Sequence, residues 1–489
     1  MGKGNWLASL LFCLLGGCAA VGPYYVAPEL SKAADVPKQW TTRTVEPAAE
    51  TSGEASSTTP WWTELSDPVL DNLVDQAFQT SPTLEAAVSR VTQSRSLYAQ
   101  ANGAAFPNVD AGAGAQNGKS GSTGSSLGWL STNASWEIDL FGAVRRGREG
   151  AQARAEAQQA TLADVRVSLA ADVTDAYLSY RACQSSVELS EEDVTSREAT
   201  EKLTAASVKE GFTAPYQAIR SQASVAEAKT QLASTRAYCE RQENLLTRLT
   251  GVPRPGLMKM LADKPTGLDR LPAPRHFSVA IPSQALTRRP DILAAERRLA
   301  AASADIGLAE ADRLPRLSLS GALGYSTSHS SGSGTLSFGT WSFGPSLSLP
   351  IFDAGRRQAA VELEKSKYEE ALADFKARTR SAIQEVEDAL TRYAAAHERT
   401  ESARLSASQY QSFFDSVNIR YREGASNLLE LEDARRTMLS SQLTLLNVQQ
   451  ERLQAWVALN RATGGAARYQ PDALAPDQKA ELSKAAPAY

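Results

Sequence analysis

The chain has 489 residues, a formal net charge of -4 and a hydrophobic fraction of 42%, which together allow a large folded core and exclude general disorder. The near-neutral charge balance argues against nucleic acid as a partner, because phosphate binding needs a concentrated basic face. No apolar run reaches the roughly 18 residues of a membrane-spanning helix, so the sequence is not that of a helical membrane protein.

The N-terminus, MGKGNWLASLLFCLLGGC, has the order of an export signal: one lysine, an apolar stretch, and small residues before Cys18. The tetrapeptide LGGC resembles the lipobox of bacterial lipoproteins. This resemblance implies a signal peptide over residues 1–17 and acylation of the Cys18 thiol, and several acyl chains would anchor the protein stably. Ala19 after the cysteine implies sorting to the outer membrane. The alternative is an ordinary secretory signal with an incidental cysteine.

Composition and internal similarity divide the rest of the chain into four predicted parts. Residues 18–65 are rich in Pro, Ala, Thr and Ser and are predicted to be an extended segment that follows the lipid anchor. Two structural repeats follow at 66–277 and 278–465. Residues 466–489 are predicted to be a poorly ordered C-terminal tail.

The repeats are visible as a tandem duplication. LVDQAFQTSPTLEAA (73–87) matches IPSQALTRRPDILAA (281–295) at an offset of 208. Beyond the glycine-rich middle the offset is 213, which aligns the EG pair at 210 with that at 423, and the TG pair at 250 with that at 463. A fixed period of this kind indicates repeated architecture.

Each repeat opens with a predicted helix of about 25 residues, over 81–105 and 290–314, that ends before a proline. Alternating segments then predict β-hairpins at about 108–141 and about 316–352. Small or polar residues occupy one parity, with aromatic residues near the predicted strand ends at Trp129, Trp136, Tyr325 and Trp341.

This pattern is typical of transmembrane strands with an aromatic girdle, and the alternative is a pair of soluble hairpins. Four strands cannot close, and open edges are not tolerated in hydrocarbon. Two chains would build a barrel of eight strands, and three a wider barrel of twelve.

A long helix follows each hairpin, from about 143 to 210 and from about 354 to 423, with a length of roughly 100 Å at 1.5 Å per residue. Apolar residues between 368 and 393 alternate in steps of four and three, a coiled-coil seam. After each EG pair a return helix runs to the TG pair. The two shorter helices of a repeat are expected to lie end to end beside the long one, with 252–280 as a belt where they meet. The predicted fold class is therefore mainly α with transmembrane β.

The sequence contains no catalytic or metal-binding constellation. His276, His329 and His397 are scattered, and the GxG at 112–114 lies in a predicted strand rather than in a phosphate-binding turn. We therefore expect no enzyme activity, cofactor or resident metal.

Cys183 and Cys239 each lie 28 residues from Gly211, on opposite sides of it. Two antiparallel helices folded at this glycine would bring the cysteines level, about 42 Å from the turn. A disulfide between them is predicted for an oxidising compartment, and two buried thiols packed as small hydrophobes are the alternative.

The duplicated plan, the lipobox and the signatures WEIDLFG, LPIFDAGRR, YREG and LEDARR resemble the outer-membrane factor family, the TolC-like exit ducts of tripartite efflux pumps, in its lipoprotein branch. The resemblance covers about 60 to 465. It implies a homotrimer with a twelve-stranded β-barrel in the outer membrane above a periplasmic α-barrel. It also implies a periplasmic adaptor and an inner-membrane pump of the resistance-nodulation-division class, which export drugs or other small toxic compounds through a passive duct.

The resemblance implies a periplasmic gate at Leu429, Asp433 and Arg436. The first-repeat counterparts of Leu429 and Asp433 are Tyr216 and Arg220, so the acidic ring of the gate would come from the second repeat alone. The alternative for Asp433 and Arg436 is a solvated helix face with a weak exposed ion pair.

The helix turns are the implied adaptor-docking tips, which comprise Gly211, Phe212, Thr213, Gly424, Ala425 and Ser426. Either Ser426 or Asn427 is expected to cap the second return helix. Two alternative functions remain open at this point: an exit duct for type I protein secretion, and a coiled-coil envelope lipoprotein without a pore.

Overall fold

The structure is a computed structural model that describes residues 20–29, 36–42, 60–120, 123–262, 271–272, 274, 282–330 and 334–465. The predicted signal peptide, Cys18 and the C-terminal tail lie outside the described residues, as does most of the predicted belt. Within the described ranges, no helix is both long and apolar enough to cross a membrane.

The first repeat contains a 3₁₀ turn, five α-helices and two strands among the described residues. In chain order these are the turn Trp61–Leu65, α1 Pro68–Thr80, α2 Pro82–Gly103, β1 Asn108–Ser120, β2 Thr123–Ile138, α3 Ala143–Lys209, α4 Pro215–Thr250 and α5 Arg254–Leu261. The second repeat follows with α6 Pro282–Thr287, α7 Pro290–Ala311, β3 Arg316–Ser330, β4 Gly334–Ser348, α8 Arg356–Arg422 and α9 Leu428–Ala462.

The duplication seen in the sequence recurs in the helices. The long helices α3 and α8 each contain 67 residues, and α2 and α7 each contain 22. The coiled-coil seam predicted on α8 is buried from Phe375 to Ala389. The predicted long helices and return helices are thus confirmed.

The structure differs from the sequence prediction in two ways near the start of the first repeat. Residues 61–65, predicted as extended chain, form the 3₁₀ turn, and α1 was not predicted. Asp67 starts α1 by accepting a hydrogen bond from the Val69 N–H at 3.0 Å, and Leu70 and Leu73 are fully buried. A single cap and one short apolar face are enough for a helix that packs against α3 and α4.

The hairpins also end earlier than predicted, at Ile138 and Ser348 rather than at 141 and 352. Asp139 accepts hydrogen bonds from the Val144 and Arg145 N–H groups in the first turn of α3. Asp353 accepts hydrogen bonds from the N–H groups of Gly355, just before α8, and of Arg357, in its first turn. These carboxylates satisfy amides that have no partner inside a helix, so the chain leaves the sheet to form caps.

The four strands form one antiparallel sheet in the order β1-β2-β3-β4. Residues that pair directly across two strands point to the same face, and the two faces differ in polarity. The apolar face carries Val109, Leu130, Trp136, Leu319, Leu323, Tyr325, Trp341 and Phe343. The polar face carries Asp110, Asn133, Ser135, Ser318, Ser320, Ser326 and Ser346, and toward the hairpin turns it also carries Leu127, Leu336 and Phe338.

The prediction that aromatic residues lie near the strand ends is wrong for Trp129, Tyr325 and Trp341, which lie in the interior of their strands. Trp129 pairs with Ser326 on the polar face, where its ring covers Gly114 so closely that a Cβ there would lie 2.6 Å from the indole Nε1. Trp341 lies near the middle of β4, because the strands extend farther toward their turn than alternation predicted. Trp136 lies near the end of β2, as expected.

The shorter helices of each repeat meet end to end beside the long helix. At the first junction the Thr80 hydroxyl donates to the Thr250 carbonyl at 2.7 Å. At the second, the Arg289 guanidinium donates to the Ala462 carbonyl at 2.8 Å. A buried apolar cluster that includes Trp61 and residues of α1, α3, α4, α5 and α9 surrounds the first junction, so the middle of the rod is its most extensive core.

Cys183 of α3 and Cys239 of α4 are joined in a disulfide, with Cα atoms 5.6 Å apart. The bridge closes a sequence separation of 56 residues and ties the two helices of the first hairpin together. The second hairpin has no cysteine, so the brace belongs to the first hairpin only.

Candidate functional site

The two helical hairpins turn at the end of the rod opposite the sheet. Gly211 and Gly424 have φ values of 80° and 78°, a left-handed conformation that glycine adopts without steric cost. The Phe212 N–H donates to the Ser207 carbonyl at 2.9 Å, and the Ala425 N–H donates to that of Arg420 at 2.7 Å. These bonds satisfy the last carbonyls of α3 and α8 in the same way at both turns.

The turn residues form an exposed tip. Phe212 is 85% exposed, an unusual position for a large apolar side chain without a partner. Asn427, rather than Ser426, caps α9: its side-chain oxygen accepts a hydrogen bond from the Glu430 N–H at 2.9 Å.

The three predicted gate residues lie together on one exposed face of α9. Their spacing of four and three residues places them on one side of the helix. Leu429 is 55% exposed, and the Asp433 and Arg436 side chains, which form an ion pair, are both more than half exposed. The opposite face of α9 is buried through Leu428 and Leu431. The gate face therefore has no partner among the described residues of its own chain.

Directly behind the gate face lies a buried ion cluster, which consists of Asp193, Arg197, Glu432 and Arg435. Among the described residues, Arg435 has the largest fully buried side chain, with a residue exposure of only 1%. Its guanidinium forms an ion pair with Glu432. Arg197 in turn lies 2.9 Å from Asp193 and 3.6 Å from Glu432.

The ion cluster connects all four helices of the two hairpins. Arg435 of α9 donates to the Thr200 hydroxyl of α3 at 2.7 Å and lies over the ring of Phe414 of α8. Ser224 of α4 donates to Glu432 at 2.9 Å. The first and second hairpins of one chain are thus joined by charged side chains just above the tip.

Burial perturbs this cluster. It raises the pKa of the Asp193 carboxyl above its usual range, an effect that Arg197 opposes. It lowers the pKa of Arg435, which Glu432 opposes. Both shifts disfavour the charged forms, so the cluster depends on each charge keeping its partner.

This cluster was not predicted, because in the sequence its residues look like ordinary surface charges of long helices. A comparison of the two repeats could have found it. All four positions are neutral in the other repeat, although the surrounding helices align without a gap.

The described chain is thus a duplicated helical rod with a four-stranded sheet at one end and exposed turns at the other. The antibiotic efflux pump outer membrane protein ArpC of Pseudomonas putida is 30% identical over 466 residues, which cover 92% of this chain and 93% of ArpC. Nodulation protein T of Rhizobium leguminosarum bv. trifolii is 29% identical over 470 residues, 94% of this chain and 97% of that protein. Among solved structures, the outer-membrane channel OprN is 30% identical with a TM-score of 0.77, over 91% of this chain and 99% of that chain.

These likenesses define the class: the fold is that of the TolC-like outer-membrane channels. The chain belongs to the outer membrane efflux protein family. The sequence model of this family matches residues 73–252 and 281–465, one segment in each repeat. It is an outer-membrane efflux channel with a periplasmic extension, and its relatives are transport proteins rather than enzymes.

Proposed function

We propose that three copies of the chain form the exit duct of a tripartite efflux pump. The sheet supports a shared barrel, because β1 and β4 each have an unpaired edge within the chain and such edges must be closed in a membrane. The apolar face would contact lipid and the serine-rich face the lumen. Twelve strands leave an open lumen, whereas the interior of eight is filled by side chains.

The N-terminal segment supports a lipid anchor at Cys18 beside the base of the barrel. The Val21 N–H donates to the Phe141 carbonyl at 3.0 Å, and Ala20 lies against Gly142, where a Cβ would come within 2.6 Å of the Ala20 Cα. The chain two residues after Cys18 therefore lies where β2 passes into α3, which is the level of the inner leaflet in the proposed orientation.

We expect Cys18→Ser to abolish labelling of the protein by radioactive palmitate while the protein is still exported. A Cys13→Ser variant serves as the control, because that cysteine lies in the predicted signal peptide and its loss should leave labelling intact. Undiminished labelling of Cys18→Ser would reject the anchor.

The exposed face of Leu429, Asp433 and Arg436 is the observation that carries the proposed function. In a ring of three, this face would point to the axis near the periplasmic mouth. Three Leu429 side chains would form a dry constriction, because apolar rings gate pores by excluding water. Three Asp433 carboxylates, each paired with Arg436 of its own chain, would form a second, polar ring that narrows the opening one helical turn farther from the tip.

The exposed tips support docking of a periplasmic adaptor, which would connect the duct to an inner-membrane pump of the resistance-nodulation-division class. A groove of about 530 Å³ between α3 and α8, lined by Glu191, Thr195 and Tyr421 among others, opens above the turns. An adaptor that binds the dilated mouth better than the closed one would shift the population toward the open state. The cargo would be small toxic compounds, the class to which the antibiotics and toluene in the names of the relatives belong.

Deletion of the gene is expected to lower several-fold the concentrations at which antibiotics, dyes or solvents inhibit growth. The intact gene on a plasmid should restore these concentrations. A deletion strain that keeps its resistance but no longer releases a particular protein into the medium would indicate a type I secretion duct instead. If resistance and secretion are both unchanged and the protein shows no conductance in lipid bilayers, it is a lipoprotein without a pore.

A further inference from the structure

The polarity of the two faces of the sheet reverses toward the hairpin turns. On the apolar face, the last cross-strand row with large apolar side chains contains Leu130 and Tyr325. The residues that follow on the same face are small or polar, namely Ala115, Gly128, Thr327, Ser337, Asn117, Ser126, His329 and Thr335. The strands therefore extend beyond the band that would contact lipid.

The polar face changes in the opposite sense at the same height. It carries four large apolar side chains, which we call the apolar collar: Leu127 and Trp129 of β2, and Leu336 and Phe338 of β4. Each of these four residues is at least 40% exposed. They stand on the face that would line the lumen, so lipid would not cover them.

A strip of small hydroxyl side chains on β3 separates the two sides of the apolar collar. Ser326 pairs with both Trp129 and Phe338, and in the next row Ser328 pairs with both leucines. Because neighbouring strands are about 4.8 Å apart, the backbones of β2 and β4 are separated by roughly 10 Å. The apolar collar of each chain thus encloses a groove with apolar sides and a serine floor.

The indole ring of Trp129 lies over β1, on the side away from the groove. The residues beneath it are Gly112 and Gly114, where an added Cβ would come within 3.1 Å and 2.6 Å of the ring, respectively. Glycine at both positions gives the ring room to approach the β1 backbone. The groove beside Trp129 therefore stays open, and the ring, which is 42% exposed in total with its residue, offers a surface on which another aromatic ring can stack.

The apolar collar is uncharged. Among the described strand residues, the charged ones on the polar face are Asp110, Glu137 and Arg316, and all three lie nearer the helical end of the sheet than the collar does. Asp110, the nearest of them, pairs with Asn133, four residues along β2 from Trp129 (133 minus 129). The groove would therefore select for apolar surface and not for the sign of a charge.

We propose that this groove binds flat aromatic compounds at the outer end of the lumen, between Trp129 and Phe338. The inference rests on the proposed function and deepens it, because it names a chemical class of cargo and a site for it. A flat ring in contact with a neighbour on each side needs roughly 7–8 Å between those neighbours, which the spacing of β2 and β4 provides. The hydroxyl groups of Ser326 and Ser328 would hydrogen-bond polar substituents of the ring. Every molecule that leaves the duct would pass three such grooves.

Block of the ionic current by ethidium, a planar aromatic cation, tests the site. The channel is measured in planar lipid bilayers with Leu429→Ala/Asp433→Ala as the background, so that the periplasmic gate does not limit the current. Ethidium is added to the bath that the hairpin turns face, and its charge lets the applied voltage draw it into the lumen. We expect Trp129→Ser/Phe338→Ser to raise the half-blocking concentration several-fold, because serine removes both stacking surfaces and keeps the face polar.

The sheet offers a matched control variant. Trp136→Ser/Phe343→Ser removes the same two residue types from the same two strands, but on the opposite face, and should leave the half-blocking concentration unchanged. Tetraethylammonium, a cation without an aromatic ring, separates stacking from the width of the lumen. It is expected to block the background channel and the Trp129→Ser/Phe338→Ser channel equally.

The outcomes distinguish failure of the site from failure of the duct. A conducting channel that ethidium blocks equally with and without Trp129 and Phe338 would overturn the site and leave the duct in place. If the same substitutions weaken block by ethidium and by tetraethylammonium to the same extent, the apolar collar only narrows the lumen, and the aromatic site is overturned. A protein that conducts no ions in any of these forms would overturn the duct and the site with it.

Discussion

The variant Leu429→Ala/Asp433→Ala is expected to conduct ions several-fold better than the unaltered protein in planar lipid bilayers. Leu429 and Asp433 lie on the face of α9 that the described residues of its own chain leave uncovered. Alanine at both positions would remove the apolar constriction and the paired carboxylate while keeping the helix, since alanine is the best helix former. The measurement is single-channel conductance of the purified trimer.

The two repeats provide a matched control for this experiment. Tyr216→Ala/Arg220→Ala alters the counterpart positions of the first return helix, which are also exposed. Because the acidic ring is assigned to the second repeat alone, this control is expected to keep the low conductance of the unaltered protein. An unchanged low conductance of Leu429→Ala/Asp433→Ala would contradict the gate, and equal leakage in both variants would contradict its assignment to one repeat.

The architecture was predictable from the sequence because its signals are local and occur twice. The glycine turns at 211 and 424, the prolines after α2 and α7, and the constant offset of 213 each mark a boundary that the structure reproduces. The α1 helix was missed because only thirteen residues carry its signal. The face of Trp129 was missed because the side-chain direction depends on register with β3, which lies nearly 200 residues away along the chain.

The candidate site was predictable only on its exposed side. Leu429, Asp433 and Arg436 follow from the distance to a turn and from the family resemblance. The ion cluster behind them depends on which face of α3 meets α9, a tertiary relation that helical periodicity does not specify. Arg435 and Arg436 are adjacent arginines in the sequence, yet Arg435 is buried and Arg436 is exposed.

That contrast predicts opposite outcomes for two adjacent substitutions. Arg435→Gln is expected to destabilise the protein by about 3 kcal/mol, because removing one partner of a buried ion pair leaves the other charge uncompensated. Arg436→Gln removes only an exposed pair with Asp433 and should cost less than about 1 kcal/mol. The thermal midpoint for loss of helical circular dichroism in detergent is therefore expected to fall clearly for the first variant and very little for the second.

A third variant separates the charge from the packing. Glu432→Ile/Arg435→Gln introduces into the contact between α3 and α9 the neutral residues that stand 213 positions earlier, in the first repeat, Ile219 and Gln222. Neutral replacement of a buried pair is often tolerated, so this variant should be more stable than Arg435→Gln although it carries one substitution more. Without Glu432 and Arg435, fewer charged contacts hold the two hairpins of one chain together, and we expect the resting conductance to rise. If the Arg435→Gln variant is as stable as the Arg436→Gln variant, the stabilising role of the ion cluster is contradicted. If the double variant has unaltered conductance, the cluster does not restrain the mouth.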